Sequence, residues 1–235
     1  MIVNYTEPGW EIITQRAHGL LAAEIAVHWS HAIRTARWTE TLLAIAEHDD
    51  AQVEIEKEDL LTEQGGPVDF KMKHFEHGHC DRTMQASLSK SRCIALLCSM
   101  HLEFVFGKYP SSARFIKEQV MQRKRWRKEL GISLAQAQKD YNLLEWCDAL
   151  SLLLCQRENQ PEEREIEVSQ GYRMTQPGEN LLTIDPWPFE EKHFDLAFEY
   201  RLIPQLRFKS SAEFRKAFLD APVKLKKWQM RNNLY

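Results

Sequence analysis

Four apolar runs of helical period carry an ionisable residue on the face where leucine is expected, and this pattern constrains the fold most. In "ITQRAHGLLAAEIAVHW", His18 shares a stripe with Leu21, Ala22, Ile25 and Trp29, at i+3, i+4, i+7 and i+11. In "WTETLLAIAEHDD", His48 continues the stripe of Ala44 and Ile45, and Asp49 adjoins it. In "SRCIALLCSMHLEFVF", His101 aligns with Ile94, Leu97, Cys98 and Val105. In "LLEWCDALSLLLCQ", Asp148 aligns with Leu144, Leu152 and Cys155. Imidazoles and a carboxylate are thus predicted to point inward from four separate helices, while His31 and His193 fall outside the pattern.

A buried ionised aspartate without a partner is very costly. Imidazoles and carboxylates converging from facing helices are tolerable when they share a divalent cation, and zinc, iron and manganese take such ligands. Each residue also has a plainer reading. A single inward histidine is commonly a hydrogen-bonded core residue. Asp148 could pair with an arginine or cap a neighbouring helix. Asp49 and Asp50 could be ordinary helix-end residues, although the C-terminal pole of a helix disfavours anions. Two aspartates at that pole need compensation, and a cation supplies it.

The 235-residue chain is long enough for one large domain or two small ones. At this length folding hides roughly 70% of the unfolded surface, so no staple is required. The net charge of -3 argues against a general nucleic-acid binder. The N-terminus has no basic segment leading into an apolar core, and no run of about 18 uncharged apolar residues exists, so neither a signal peptide nor a membrane span is expected. The five cysteines are odd in number and lack CxxC spacing, which fits a reducing cytoplasm.

"MIVNY" and "WEIIT" flank the turn cluster "TEPG" and predict a β-hairpin over residues 1–13. A helical body follows over residues 14–157. Composition changes after "RENQPEER", and residues 164–235 read as short strands with one amphipathic helix, "SSAEFRKAFLDA". The expected architecture is mainly α: a single unit with a bundle of five to seven helices. A small β-sheet/α appendage, built from the hairpin and the C-terminal segment, packs on it.

The order of these residues resembles the HD-domain metal-dependent phosphohydrolases. That pattern is a lone histidine, a His-Asp doublet about thirty residues later, and an aspartate on a long late helix. Here it is His18, His48-Asp49, and Asp148 in "LLEWCDALSLLL", over residues 14–157. The resemblance implies an HD-like bundle with His18, His48, Asp49 and Asp148 around a first metal. It further implies that Asp49 bridges to a second metal held by His77 and His101, leaving His74 and His79 on the surface. No Gly-Lys follows the doublet and no "GYP" triplet occurs, so a cyclic dinucleotide substrate is not implied. Nearly the full chain also resembles a bacterial family of no established activity. "ITQRAHGLLAAEIAVHW", "LLAIAEHDD", "CSMH", "LTIDPWPF" and "LIPQLRFKSSAEF" carry that likeness, which implies that the tail belongs to the unit.

The expected function is metal-assisted hydrolysis of a phosphoester, with a nucleotide-like ester as one candidate. One or two ions of iron, manganese or zinc would serve. Asp50 or Glu145 would act as general base or support the ligands. The expected partner is a small anionic substrate, with no membrane or nucleic acid and with a homo-oligomer left open. The basic run "RKRWRK" could attract that anion or could be a solvated helix face. Two alternatives stand: a di-iron oxygenase on the same fold, and a non-catalytic ligand-binding or interaction protein with Trp187 and Phe189 at its surface.

Overall fold

The "TEPG" turn folds β1 (Ile2–Thr6) onto β2 (Gly9–Ile13). Gly9 lies at φ +135°, and a Cβ there would sit 2.3 Å from the Ile203 carbonyl oxygen, so the turn needs glycine. Thr14 then caps α1 (Gln15–Val27), its side chain accepting the Ala17 N–H. The helical body continues with α2 (Trp38–Glu47), α3 (His77–Lys90), α4 (Arg92–Phe106), α5 (Ala113–Leu130) and α6 (Leu134–Cys155). Ser91 and Ser133 cap α4 and α6, and Gly131, in the left-handed region at φ +67°, ends α5. This computed structural model describes residues 1–57, 59–72, 74–158 and 164–232. Among them no helix is long and apolar enough to cross a membrane.

After α6 come β3 (Ile166–Ser169), β4 (Tyr172–Gly178), β5 (Leu181–Asp185), β6 (His193–Ile203), α7 (Ser211–Asp220) and β7 (Val223–Arg231). The strands form one seven-stranded sheet in the order β1-β2-β6-β7-β5-β4-β3. Its pairs are antiparallel except β5 with β7. The N-terminal hairpin joins through Trp10, Glu11 and Ile12 opposite Ile203, Leu202 and Arg201.

This sheet overturns the mainly α expectation. Of the described residues 49% are helix and 22% strand, and the sheet is a curled, mixed half-barrel, not a small appendage on a bundle. The physical reason is that sheet and helices share one core. In β6 the period-2 residues Phe194, Leu196 and Phe198 are buried. They join Leu182 and Ile184 of β5 and Met230 of β7 in one cluster with Leu21 and Ile25 of α1 and Leu144 and Leu150 of α6. Trp146 of α6 is a main joint, with ring centroids 4.8 Å from Trp29, 5.4 Å from Tyr172 and 5.9 Å from Phe189. Trp187 packs at this same joint, 5.0 Å from Phe189.

α1 and α2 meet closely because Gly19 has no side chain. A Cβ there would lie 2.7 Å from the Ala46 carbonyl oxygen. The contact is adjacent to His18 and two residues before His48, so it sets how near the two imidazoles come. Alanine at this position would gain ~1 kcal/mol of helix propensity. Overpacking against rigid backbone costs about 1–3 kcal/mol and outweighs that gain. Gly19→Ala is therefore expected to lower the urea unfolding midpoint. An unchanged or raised midpoint would mean that the helix contact does not fix the spacing.

Candidate metal centre

Four helices deliver their polar residues to one point. α1 brings His18, the C-terminal end of α2 brings His48 and Asp49, α4 brings His101 and α6 brings Asp148. His18 and His48 are 0% and 1% exposed. Their Nε2 atoms stand 3.2 Å apart. Asp148 Oδ1 is 3.0 Å from His18 Nε2 and 3.2 Å from His48 Nε2. Asp49 Oδ2 lies 3.9 Å and 3.8 Å from the same two nitrogens. His101 closes the group, with its ring centroid 4.8 Å from that of His48. One ligand atom from each of His48, His101 and Asp148 lies within 4.8 Å of the others, and the same holds for His18, His48 and Asp49.

The hydrogen bonds behind the imidazoles fix where their protons are. His48 Nδ1 is 2.7 Å from the Ile45 carbonyl oxygen. A carbonyl only accepts, so this nitrogen carries the hydrogen. Ser151 Oγ donates its single proton to the Asp148 carbonyl at 2.9 Å, so at 2.8 Å from His18 Nδ1 it accepts. Both neutral rings therefore turn a bare Nε2 lone pair toward the same carboxylate oxygen. Three acceptors in contact repel one another unless a positive species lies among them.

Without a metal, a proton takes that role. Burial opposes charge on His48, but the Asp49 carboxylate and the hydrogen bond and charge of Asp148 outweigh it and push its pKa up to about 9. Burial also opposes charge on Asp148, yet its contacts with the His18 ring and with protonated His48 hold its carboxyl well below the usual range. The Asp49 carboxyl is lowered too, burial being outweighed by His48, His18 and His101. Burial drives His101 the other way, down to about 4, so near neutral pH its ring is neutral and one nitrogen is free to ligate.

The expected residues His18, His48, Asp49, His101 and Asp148 thus lie together. His77 does not join them. It opens α3 on the exposed side, its Nδ1 2.8 Å from Asp81 Oδ2. Residues two apart on a helix point roughly 200° apart, so His77 and His79 cannot both face inward. His79 is the buried one, against the expectation that it is a surface residue, and its Nδ1 has no hydrogen-bond partner. His74 is exposed. Glu145 is also directed elsewhere: its carboxylate accepts Ser169 Oγ at 2.6 Å and Gln170 Nε2 at 2.9 Å, at the β3–β4 turn. Asp50 lies exposed on the turn after α2, where partial burial and neighbouring Glu47 raise its carboxyl above the ordinary range.

Three supporting residues escaped sequence reasoning. Gln15 Nε2 donates to Asp49 Oδ2 at 3.0 Å and Gln52 Nε2 donates to Asp49 Oδ1 at 2.9 Å, so both carboxylate oxygens are aimed. Ser151 orients His18. Its position i+3 from Asp148, as the polar residue within "ALSLLL", is a signal that could have found it. Gln15 and Gln52 offer no comparable pattern, because Gln15 is placed by the distant Glu54 carboxylate on its N–H.

A family model described as "Protein of unknown function (DUF3891)" matches residues 1–205, which include every residue of the cluster. No curated protein and no solved structure matches the chain.

Two outcomes are expected of the protein stripped with a chelator. Ser151→Ala leaves buried His18 Nδ1–H unpaired and should cost about 1–3 kcal/mol in urea unfolding; no loss would refute the assigned proton positions. A His48 pKa raised from 6.5 to about 9 means the folded state holds the proton more tightly. That stabilisation is complete below 6.5 and fades as pH rises through about 9. Thermal midpoints should therefore fall toward pH 9–10 by less in His48→Gln than in the wild type. Equal falls would contradict the charged pairing.

Proposed function

We infer that this chain, which belongs to the DUF3891 family, holds one or two divalent transition ions at the His–Asp cluster and hydrolyses a small phosphoester there. The observation that carries the reading is the contact of three bare acceptors, His18 Nε2, His48 Nε2 and Asp148 Oδ1, all within 3.2 Å. The donor set fits a divalent ion on its chemistry: neutral imidazoles, ionised carboxylates and no thiolate, a combination that suits iron, manganese or zinc. His101, buried and with an unpartnered Nδ1, adds a third imidazole.

The choice of hydrolysis draws on the resemblance to HD-domain phosphohydrolases, whose order of ligands the chain follows at His18, His48-Asp49 and Asp148. A divalent ion held by these residues would supply Lewis acidity toward a phosphoryl oxygen and acidify a water. The chain's own groups do the rest. Ile45 and Ser151 fix the two imidazoles, and Gln15 and Gln52 hold Asp49 in aim. Asp50, adjoining Asp49 on the turn after α2 and with a raised carboxyl, would take the proton of the attacking water. The water oxygen bonds to phosphorus, the ester P–O bond breaks, and the leaving oxygen takes the proton. The third imidazole also suits a di-iron oxygenase, which an oxygen-sensitive coloured centre in the purified protein would favour.

Elemental analysis of protein purified without added metal or chelator tests the reading. About one or two ions of iron, manganese or zinc per chain are expected. Asp148→Asn and Asp49→Ala should lose most of the metal, and His31→Ala and His193→Ala should keep it. Gln15→Ala, which frees one Asp49 oxygen, should weaken affinity about 10–100-fold. Full metal retention in Asp148→Asn would contradict the site.

A further inference from the structure

A cavity of about 290 Å³ opens beside the cluster. Its wall includes Gln52, whose amide holds Asp49, and His79 of α3. The cavity is cationic although the chain carries a net charge of -3. Lys57, Lys71, Arg82 and Lys108 line it, against Glu76 as the carboxylate among the described lining residues. Glu76 is shared by Lys57 at 2.6 Å and Arg82 at 3.5 Å. Lys71 reaches Glu158 at 3.1 Å, and the Lys108 ammonium lies 5.4 Å from the Tyr109 ring centroid. Four cations against Glu76 in the wall and Glu158 on Lys71 leave an excess of two positive charges among these groups. The basic run Arg123–Lys128, the other candidate for attracting an anion, contributes nothing to this wall.

One more feature narrows the ligand. The rings of Phe70, Phe106 and Tyr109 supply flat apolar wall. Lysine and arginine together match a dianionic phosphate better than a single carboxylate, and aromatic faces match a planar group.

We propose that this cavity binds the substrate of the neighbouring centre, and that the substrate is a phosphate monoester of a planar, aromatic-bearing alcohol. Arg82, Lys57 and Lys108 hold the phosphate charge, and Phe106 and Tyr109 receive the flat group. The fate of the ester rests on the hydrolase reading; its binding does not.

Titration calorimetry of phenyl phosphate into the full, chelator-treated chain tests the binding. Phenyl phosphate is expected to bind at least about tenfold tighter than inorganic phosphate or benzyl alcohol. The Arg82→Gln, Lys108→Gln double variant, shown folded by its unfolding midpoint, should lose at least about tenfold, and Arg125→Gln, outside the wall, should bind as the wild type does. Equal affinity for phenyl and inorganic phosphate, or full affinity in the double variant, would overturn the proposal. Phenyl phosphate binding that the double variant loses, in a protein that takes up no metal, would uphold the cavity and defeat the hydrolase reading. Metal-dependent turnover of para-nitrophenyl phosphate with kcat/KM unchanged in the double variant would do the reverse.

Discussion

Two imidazole lone pairs and one carboxylate oxygen meet in the interior, and the rest of the structure is arranged around that contact. Like-signed acceptor atoms at 3.0–3.2 Å are mutually repulsive. Both imidazoles are held from behind, His48 by a carbonyl on its own helix and His18 by a serine on α6, and the adjoining Asp49 is held by two glutamine amides. A proton can neutralise the contact, as the raised His48 pKa indicates. A divalent ion, as proposed, would do so with more charge and more ligands.

The fold makes this arrangement stiff. α1 and α6, which carry His18 and Asp148, are covered on one side by the sheet and share its apolar core. α2 is pressed against α1 at Gly19, where nothing larger than hydrogen fits. The sheet therefore does more than decorate a helical body. It clamps the helices whose side chains converge, while the segment after α2 supplies Gln52 and Glu54 to the same neighbourhood.

Stripe logic could locate His18, His48, His101 and Asp148 because burial on a helix repeats with the helix itself. It has no hold on α3, where "HGHCDRTMQASLSK" has few apolar residues to set its phase, and the choice of His77 over His79 rests on the resemblance alone. It failed at Glu145 for the opposite reason. α6 is buried nearly all round, one face toward the cluster and another toward the β3–β4 turn, and periodicity alone does not separate the two. The strands were legible one by one, and so was the joining of the hairpin to the C-terminal segment, which β2 makes through β6. The extent of the seven-stranded sheet and the core it shares with the helices were not legible, because both depend on long-range packing.

X-ray absorption at the metal edge, on protein purified without added metal, tests the central claim most directly. The account predicts an iron, manganese or zinc edge with a shell of nitrogen and oxygen at about 2.0–2.2 Å and the outer-shell scattering of imidazole. An absent edge, or a shell dominated by sulfur, would contradict it.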